Sequence, residues 1–300
     1  MTSKSEEFWV GIDTGGTFTD LVMTEVATGR CVYHKVPTQT SDPATGIISG
    51  IAGLLDIANV PAANVKFLVL GTTLATNAVL EAKWARTGVI TTKGFRDILD
   101  IARQRRPHYF DLDVPKPVPP AVRADRFEVT GRIAFNGEEL EALDEGEIIE
   151  ATKSLKQAGV EAIAICFMHS YANAEHEQRA LKIVRAHFPD VKVCTSADVL
   201  PEFREYERFV TATVNASLMP VMDRYLQRFE QGVKDLGVPH LARVMQSNGG
   251  AVTADAVRRL PINTFFSGPA GGVPQPHLEW FQFRLAADLR PDRPPNRWGH

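Results

Sequence analysis

Cysteine is scarce and poorly placed for chemistry. Cys31, Cys166 and Cys194 are odd in number, far apart and without metal-ligand spacing, which argues against a disulfide framework or a zinc ribbon and leaves reduced core thiols. Neither charge is in excess: 33 Lys and Arg against 36 Asp and Glu give a net charge of -3. No basic stripe invites nucleic acid and no acidic block marks a disordered tail. No apolar run is long enough to span a membrane, and MTSKSEEF lacks the apolar stretch of a leader; a cytoplasmic location without a membrane partner is the expectation. A fixed-period repeat is absent. No Gly-Lys-Ser/Thr follows the glycine-rich stretch near the amino end, so it is not a P-loop. The dinucleotide spacing fails there too, and a strand follows where a helix is needed. No Ser-His-Asp or Cys-His constellation can be argued from spacing. His169 and His176 are not an i, i+4 pair, and with Glu177 they read as polarity at a helix start rather than a metal site.

What remains is a chain with 44% hydrophobic and 23% charged residues, proportions that place it among soluble globular proteins. A length of 300 residues favours two domains. Its most informative stretch is GIDTGGTFTD at residues 11–20. Phe8-Trp9-Val10 and Leu21-Val22-Met23 flank it, and two β-prone runs about Thr14-Gly15-Gly16 predict a β-hairpin. Glycines at 15 and 16 let the backbone take φ > 0 and let a polyanion approach its N–H groups. Thr17 and Thr19 add hydroxyls, and Asp13 and Asp20 add carboxylates suited to hydrated Mg²⁺ or to positioning a water. On this pattern alone, an ordinary Gly-Gly hairpin remains an alternative.

Farther on, strands and helices alternate, which predicts an α/β fold with a largely parallel sheet. A strand over 33–38 leads to Asp42-Pro43, an N-cap followed by proline at the first helical position. Ile47, Ile48, Ile51, Leu54 and Leu55 then mark one buried helix face. The apolar strand 67–70 runs into Gly71-Thr72-Thr73, where Thr72 or Thr73 caps a helix carrying Asn77; these three form a polar patch that either faces a ligand or simply caps. A strand over 89–92 and a helix over 95–103 follow. Residues 104–136, with five prolines among them, predict a long extended connection. Arg103, Arg105 and Arg106 at its entry suit a solvated face or an anion. Asp144 with Glu147 reads as a capping box, 160–167 as a fully buried strand, Asn173 as the cap of a helix to about 188, and 191–195 as a strand. From 202 to 236 the pattern is helical, and Pro220 predicts two consecutive helices. A strand at 241–245, a short helix near 253–259 and the loop Ser267-Gly268-Pro269-Ala270-Gly271-Gly272 complete the chain before its tail.

These stretches together resemble the N-terminal part of the hydantoinase A / 5-oxoprolinase family, enzymes that use ATP to open cyclic amides and that include ATP-binding subunits of ketone carboxylases. The matching segments are GIDTGGTFTD, GTTLATNAVLE at 71–81, TTKGFRDILDIARQRRP at 91–107, EVTGRI at 128–133, HSYANAEHE at 169–177, the helix around Tyr206 to Pro220, MQSNGG at 245–250 and SGPAGGV at 267–273. They occur in the expected order over nearly all of residues 8–273.

The resemblance implies an actin-like, ribonuclease H-like lobe with mixed sheets and flanking helices, its second lobe incomplete. It implies an N-terminal domain over 8–200 and the start of a nucleotide-binding core over 201–273. Asp13, Thr14, Gly15, Gly16, Thr17, Thr19 and Asp20 would form the first phosphate loop, with Asp13 on the metal or water. Gly268, Pro269, Ala270, Gly271 and Gly272 would touch the nucleotide. Thr72, Thr73, Asn77, Arg103 and Arg106 are the candidate substrate residues. ATP and Mg²⁺ are the implied cofactors, a small cyclic amide the substrate, and a hydantoinase B-type chain a candidate second subunit. An ATP-handling ketone carboxylase subunit and a non-catalytic nucleotide-binding fragment are the alternatives. Residues 274–300, rich in Pro, Arg and Trp and without the second Asp-Gly-Gly-Thr loop of the superfamily, read as the atypical, disordered tail of a frameshifted or prematurely ended product.

Overall fold

The computed structural model describes residues 6–39, 41–104, 113, 118–239 and 242–265. Arg106, the loop 268–272 and the tail 274–300 lie outside the described residues. In chain order the elements begin with β1 (Phe8–Thr14), β2 (Phe18–Glu25), β3 (Cys31–Pro37), α1 (Pro43–Ala58) and β4 (Val65–Thr72). They continue with α2 (Leu74–Leu80), β5 (Thr87–Thr92), α3 (Ile98–Ile101), β6 (Arg126–Val129), β7 (Arg132–Ile133) and β8 (Glu139–Glu141). Then come α4 (Glu145–Gln157), β9 (Ala162–Cys166), α5 (Glu175–His187), β10 (Lys192–Thr195) and α6 (Ser196–Val199). The last are α7 (Glu205–Asp235), β11 (Arg243–Met245), β12 (Ala251–Thr253) and α8 (Ala254–Arg259). The architecture is α/β with mixed sheets and flanking helices. The described residues divide into two compact units, one from 6–74, 225–257 and 263–265, the other from 75–224 and 258–262.

The first unit is built on a six-stranded mixed sheet in the order β12-β11-β4-β1-β2-β3. β1 lies antiparallel to β2 and parallel to β4. That central place explains why its Val10 and Ile12 are wholly buried, while β3, at the edge, alternates half-buried and exposed residues. α1 starts where the sequence places it: the Asp42 carboxylate accepts from Thr45 N, Pro43 follows, and Asn59 closes the helix in the left-handed region at φ 53°. Its buried face is Ile47, Ile51, Leu54 and Leu55, the 3.6-residue stripe read from the sequence.

The second unit holds the parallel sheet β10-β9-β5-β6. Alternation along β9 serves two cores. Ile163 and Ile165 pack with Ile148, Leu155 and Val184 of α4 and α5. Ala162, Ala164 and Cys166 pack with Phe209, Ala212 and Ala216 of α7. A parallel strand covered on both faces reads as a continuous apolar run, as this one does.

Several elements depart from the sequence reading. β6 lies inside the expected extended connection and pairs in register with β5. Its first residue, Arg126, hides the strand signal: the guanidinium is buried and bonded to Asp100 at 2.6 and 3.0 Å and to the Ala121 carbonyl. Helix 95–103 shrinks to Ile98–Ile101, closed by Ala102 at φ 48°. The capping box is one-sided. Asp144 accepts from Glu147 N at 3.1 Å, but the Glu147 carboxylate turns to Thr130 N instead of closing back. Asn173 does bond the first turn of α5, through Glu175 N at 2.9 Å, from one residue before the cap position. A short strand, β12, was not foreseen. Pro220 ends nothing: α7 runs through it for 31 residues. Proline in a helix interior costs about 3 kcal/mol, but residues 215–220 are all buried, and the Ser217 carbonyl accepts from Ala85 N at 3.1 Å. Packing outweighs the N–H that Pro220 withholds from the Ala216 carbonyl four residues back.

Candidate functional site

The β1–β2 hairpin is longer than its apolar runs suggest. Pairing continues through Asp13↔Asp20 and Thr14↔Thr19 in β2, and through Asp13↔Gly71 and Thr14↔Thr72 in β4. Residues directly opposite in a sheet share a face, and successive residues alternate. The motif is therefore sorted into two sides. Asp13 and Asp20 stand together on one, beside Gly71. Thr14, Thr19 and Thr72 stand on the other, all buried.

Gly71 makes the acidic side possible. A Cβ there would come within 3.3 Å of Asp13 Oδ1 and 3.4 Å of the Ile12 carbonyl, so the bare backbone gives the carboxylate the room it takes beside β4. Burial, and secondarily the facing Asp20, push the Asp13 carboxyl above the ordinary aspartate range. Both causes disfavour the anion. Asp20 is exposed and paired with Lys35 of β3 at 2.9 Å. Lys35 also stacks its ammonium over the Phe18 ring, 5.0 Å from the centroid. The acidic face thus carries one desolvated carboxylate with no ion pair among the described residues and one compensated at the rim. A cation brought to Asp13 would relieve both causes of its shift.

The bend itself is Gly15-Gly16-Thr17. Gly15 N donates to the Phe18 carbonyl at 3.0 Å, and Thr38 clamps the loop: its hydroxyl donates to the Gly15 carbonyl at 2.9 Å and its N–H to the Thr17 carbonyl at 2.9 Å. Neither glycine takes the positive φ expected of it. Their bareness matters for space. A Cβ on Gly15 would meet the Phe18 carbonyl at 3.2 Å, whereas one on Gly16 would meet nothing within 4 Å. Gly16 and Thr17 are exposed.

On the opposite side, the Thr19 hydroxyl lies 3.1 Å from that of Thr38. Thr72 accepts from Leu74 N at 3.2 Å, and the Thr73 hydroxyl donates to the Thr14 carbonyl at 3.2 Å. Both threonines therefore serve the strand ends directly. Asn77 belongs to the other unit. So does Arg103, whose guanidinium is held by Glu207 in a two-pronged pair at 2.7 and 2.6 Å; that pairing draws the Glu207 carboxyl below its usual range.

Also in that unit, His169 Nδ1 meets the Ile133 carbonyl at 2.8 Å and His176 Nε2 meets Glu139 at 2.6 Å. Glu177 is wholly buried, accepting from Phe167 N, Ser196 Oγ and Ala197 N at 2.8, 2.6 and 2.8 Å. These contacts fasten the carboxyl end of the parallel sheet.

Thr38, Gly71, Lys35 and Tyr225 belong to the site's surroundings and were not singled out in the sequence. Lys35 reaches it through the β2–β3 register and Thr38 by its bonds to the bend just past the end of β3, which no local pattern discloses. Gly71 carried a signal as a lone glycine at the end of an apolar strand, where close approach of another group is a standard reason.

The hydantoinase/oxoprolinase N-terminal region family matches residues 9–188, and the hydantoinase/oxoprolinase family matches 208–276. Caprolactamase subunit alpha of Pseudomonas jessenii is 37% identical, over 92% of this chain and 40% of its own length. The 5-oxoprolinase of Saccharomyces cerevisiae is 32% identical, over 88% of this chain and 23% of its own. The crystal structure of the ATP-dependent caprolactamase superposes with a TM-score of 0.81 at 37% identity, covering 88% of this chain and 39% of that one. Nucleotide-free acetone carboxylase superposes with a TM-score of 0.77 at 25% identity, covering 89% and 40%. The chain thus spans 40% or less of each of these relatives. With matches running in order along most of its length, the chain belongs to the hydantoinase/oxoprolinase family.

Proposed function

We propose that this chain is the ATP-handling portion of an ATP-dependent cyclic-amide hydrolase, and that the end of the β1–β2 hairpin receives the nucleotide's phosphates. One observation carries the reading: a desolvated carboxylate, Asp13, lies two residues before the start of an exposed bend whose Gly16 leaves open space above the backbone. Mg²⁺ is commonly held by one or two carboxylates together with phosphate oxygens and waters, so Asp13 with Asp20 at its rim is a fitting donor set. Bound Mg·ATP would supply a phosphoryl group that converts the resonance-stabilised amide oxygen into a leaving group. The chain's own residues do the positioning. Asp13 holds the cation or orients a water, Gly15, Gly16 and Thr17 present the bend, and Thr38 keeps the bend in shape. Thr14 and Thr19, buried on the far side, act as supports from within. Gly268 to Gly272 remain proposed nucleotide contacts, and Thr72, Thr73, Asn77, Arg103 and Arg106 proposed substrate contacts, with Arg103 first having to leave Glu207.

A second subunit is part of the proposal, because one relative is itself named as a subunit alpha. The likeness to acetone carboxylase favours one other reading, an ATP-handling subunit for ketone carboxylation. Titration calorimetry with Mg·ATP tests the site. The purified chain should bind, and Asp13→Asn should weaken binding at least tenfold. Equal binding by both proteins would remove Asp13 from the site. In a full-length relative carrying this lobe, ATP-dependent opening of hydantoin or 5-oxoproline supports the hydrolase, and turnover requiring bicarbonate and a ketone supports the alternative.

A further inference from the structure

The hydroxyl side of the hairpin contains groups that folding leaves unspent. Thr14 Oγ1 and the Tyr225 hydroxyl are both buried, and neither completes a hydrogen bond among the described residues. They are neighbours: the Tyr225 hydroxyl lies close enough to those of Thr14 and Thr72 to be influenced by both, while burial drives its pKa upward. Buried polar groups are normally satisfied, and an exception asks for an explanation. Two exceptions side by side, at the shared end of β1 and β4, ask for a common one.

Their location supplies it. Thr14 is the last residue of β1, with Asp13 immediately before it and Gly15 immediately after. Thr14 is therefore the residue that joins the Asp13 carboxylate on the opposite face to the bend. Tyr225 comes from α7, is 5% exposed, and stacks on Phe229 with ring centroids 6.5 Å apart. Its ring is held by packing, so its hydroxyl is a fixed point against which Thr14 can be set.

We infer that Tyr225 is a positioning residue for the phosphate-binding bend, its hydroxyl engaging Thr14 and Thr72 as the bend closes on a polyphosphate. This inference rests on the proposed phosphate site. In the ligand-free chain the hydroxyl contributes little to stability, because it lies near Thr14 and Thr72 without a well-formed hydrogen bond to either. In the loaded chain it fixes Thr14, and through Thr14 the carboxylate and the bend.

Tyr225→Phe separates these two states. Melting temperature and Mg·ATP affinity would be measured for the full parent chain, Tyr225→Phe, Thr14→Val and Thr14→Ser. Positioning predicts that Tyr225→Phe melts at the same temperature as the parent or higher, yet binds Mg·ATP about tenfold more weakly. Thr14→Val should weaken binding similarly, and Thr14→Ser, which keeps the hydroxyl, should bind like the parent. Unchanged affinity in Tyr225→Phe and Thr14→Val overturns the inference while leaving the phosphate site standing. A lower melting temperature in Tyr225→Phe with no loss of affinity in Thr14→Val makes the hydroxyl structural and also overturns it. Failure of the parent itself to bind defeats the phosphate site, and the inference with it.

Discussion

Asp13 holds a costly position, and its cost is measurable. A carboxyl whose pKa is raised on folding contributes stability below the unfolded value, and that contribution is lost as pH rises through the folded value. Ionised Asp13 therefore weakens the ligand-free chain at neutral pH. Asp13→Asn should raise the neutral-pH melting temperature, by about 1–4 °C on the usual scale for one such change, and the difference should vanish as the pH falls through the ordinary aspartate range. Differential scanning fluorimetry from pH 3 to 8 checks it; a variant less stable than the parent at pH 7 contradicts the account. Gly71→Ala acts on the same carboxylate from below. The new methyl would press on Asp13 Oδ1 at 3.3 Å and on the Ile12 carbonyl at 3.4 Å, costing about 1–3 kcal/mol as overpacking. Urea unfolding should register that loss, and Mg·ATP affinity should fall as well. A variant with parental stability and affinity would show that the close approach carries no weight.

Among the elements, those with strong local signals were readable in advance. Asp42-Pro43 and the stripe from Ile47 to Leu55 gave α1, and the apolar run at 160–167 gave β9. What escaped depended on partners distant in sequence. β6 needed Asp100 and Ala121 to bury Arg126, and α7 kept its course through Pro220 because other segments enclose it. The hairpin bend with its flanking aspartates and threonines was legible as a motif, but not its division between two faces, which follows from strands longer than the flanking apolar runs. α7 also supplies Arg208, wholly buried, which donates to the Phe167 carbonyl at 2.7 Å and to Ser196 Oγ at 3.1 Å. Ser196 in turn donates to Glu177, so one serine bridges a buried guanidinium and a buried carboxyl group. Removing one partner of a buried charge network costs about 3–5 kcal/mol. Arg208→Ala should lose that much in urea unfolding with the slope unchanged, and a loss under 1 kcal/mol would mean that Glu177 is neutral or satisfied without it.

For the molecule as a whole, the thiols offer a simple test of which surfaces folding covers. Burial pushes the Cys194 thiol up to about 12 and the Cys166 thiol well above its ordinary value, while Cys31 is half-buried. The folded chain should show one thiol reactive to an aromatic disulfide reagent and three in denaturant; two fast thiols in the folded chain would contradict the packing of β9 or β10. Among the described residues, no helix is long and apolar enough to cross a membrane. The central claim is that the bend near the amino end exists to admit a polyphosphate, and Gly16 tests it most directly. A Cβ there meets no protein atom within 4 Å and its φ is not positive, so Gly16→Ala should fold and melt like the parent. Calorimetric titration with Mg·ATP should show at least a tenfold loss of affinity, because the methyl occupies the ligand's path. Parental affinity in Gly16→Ala would contradict the account.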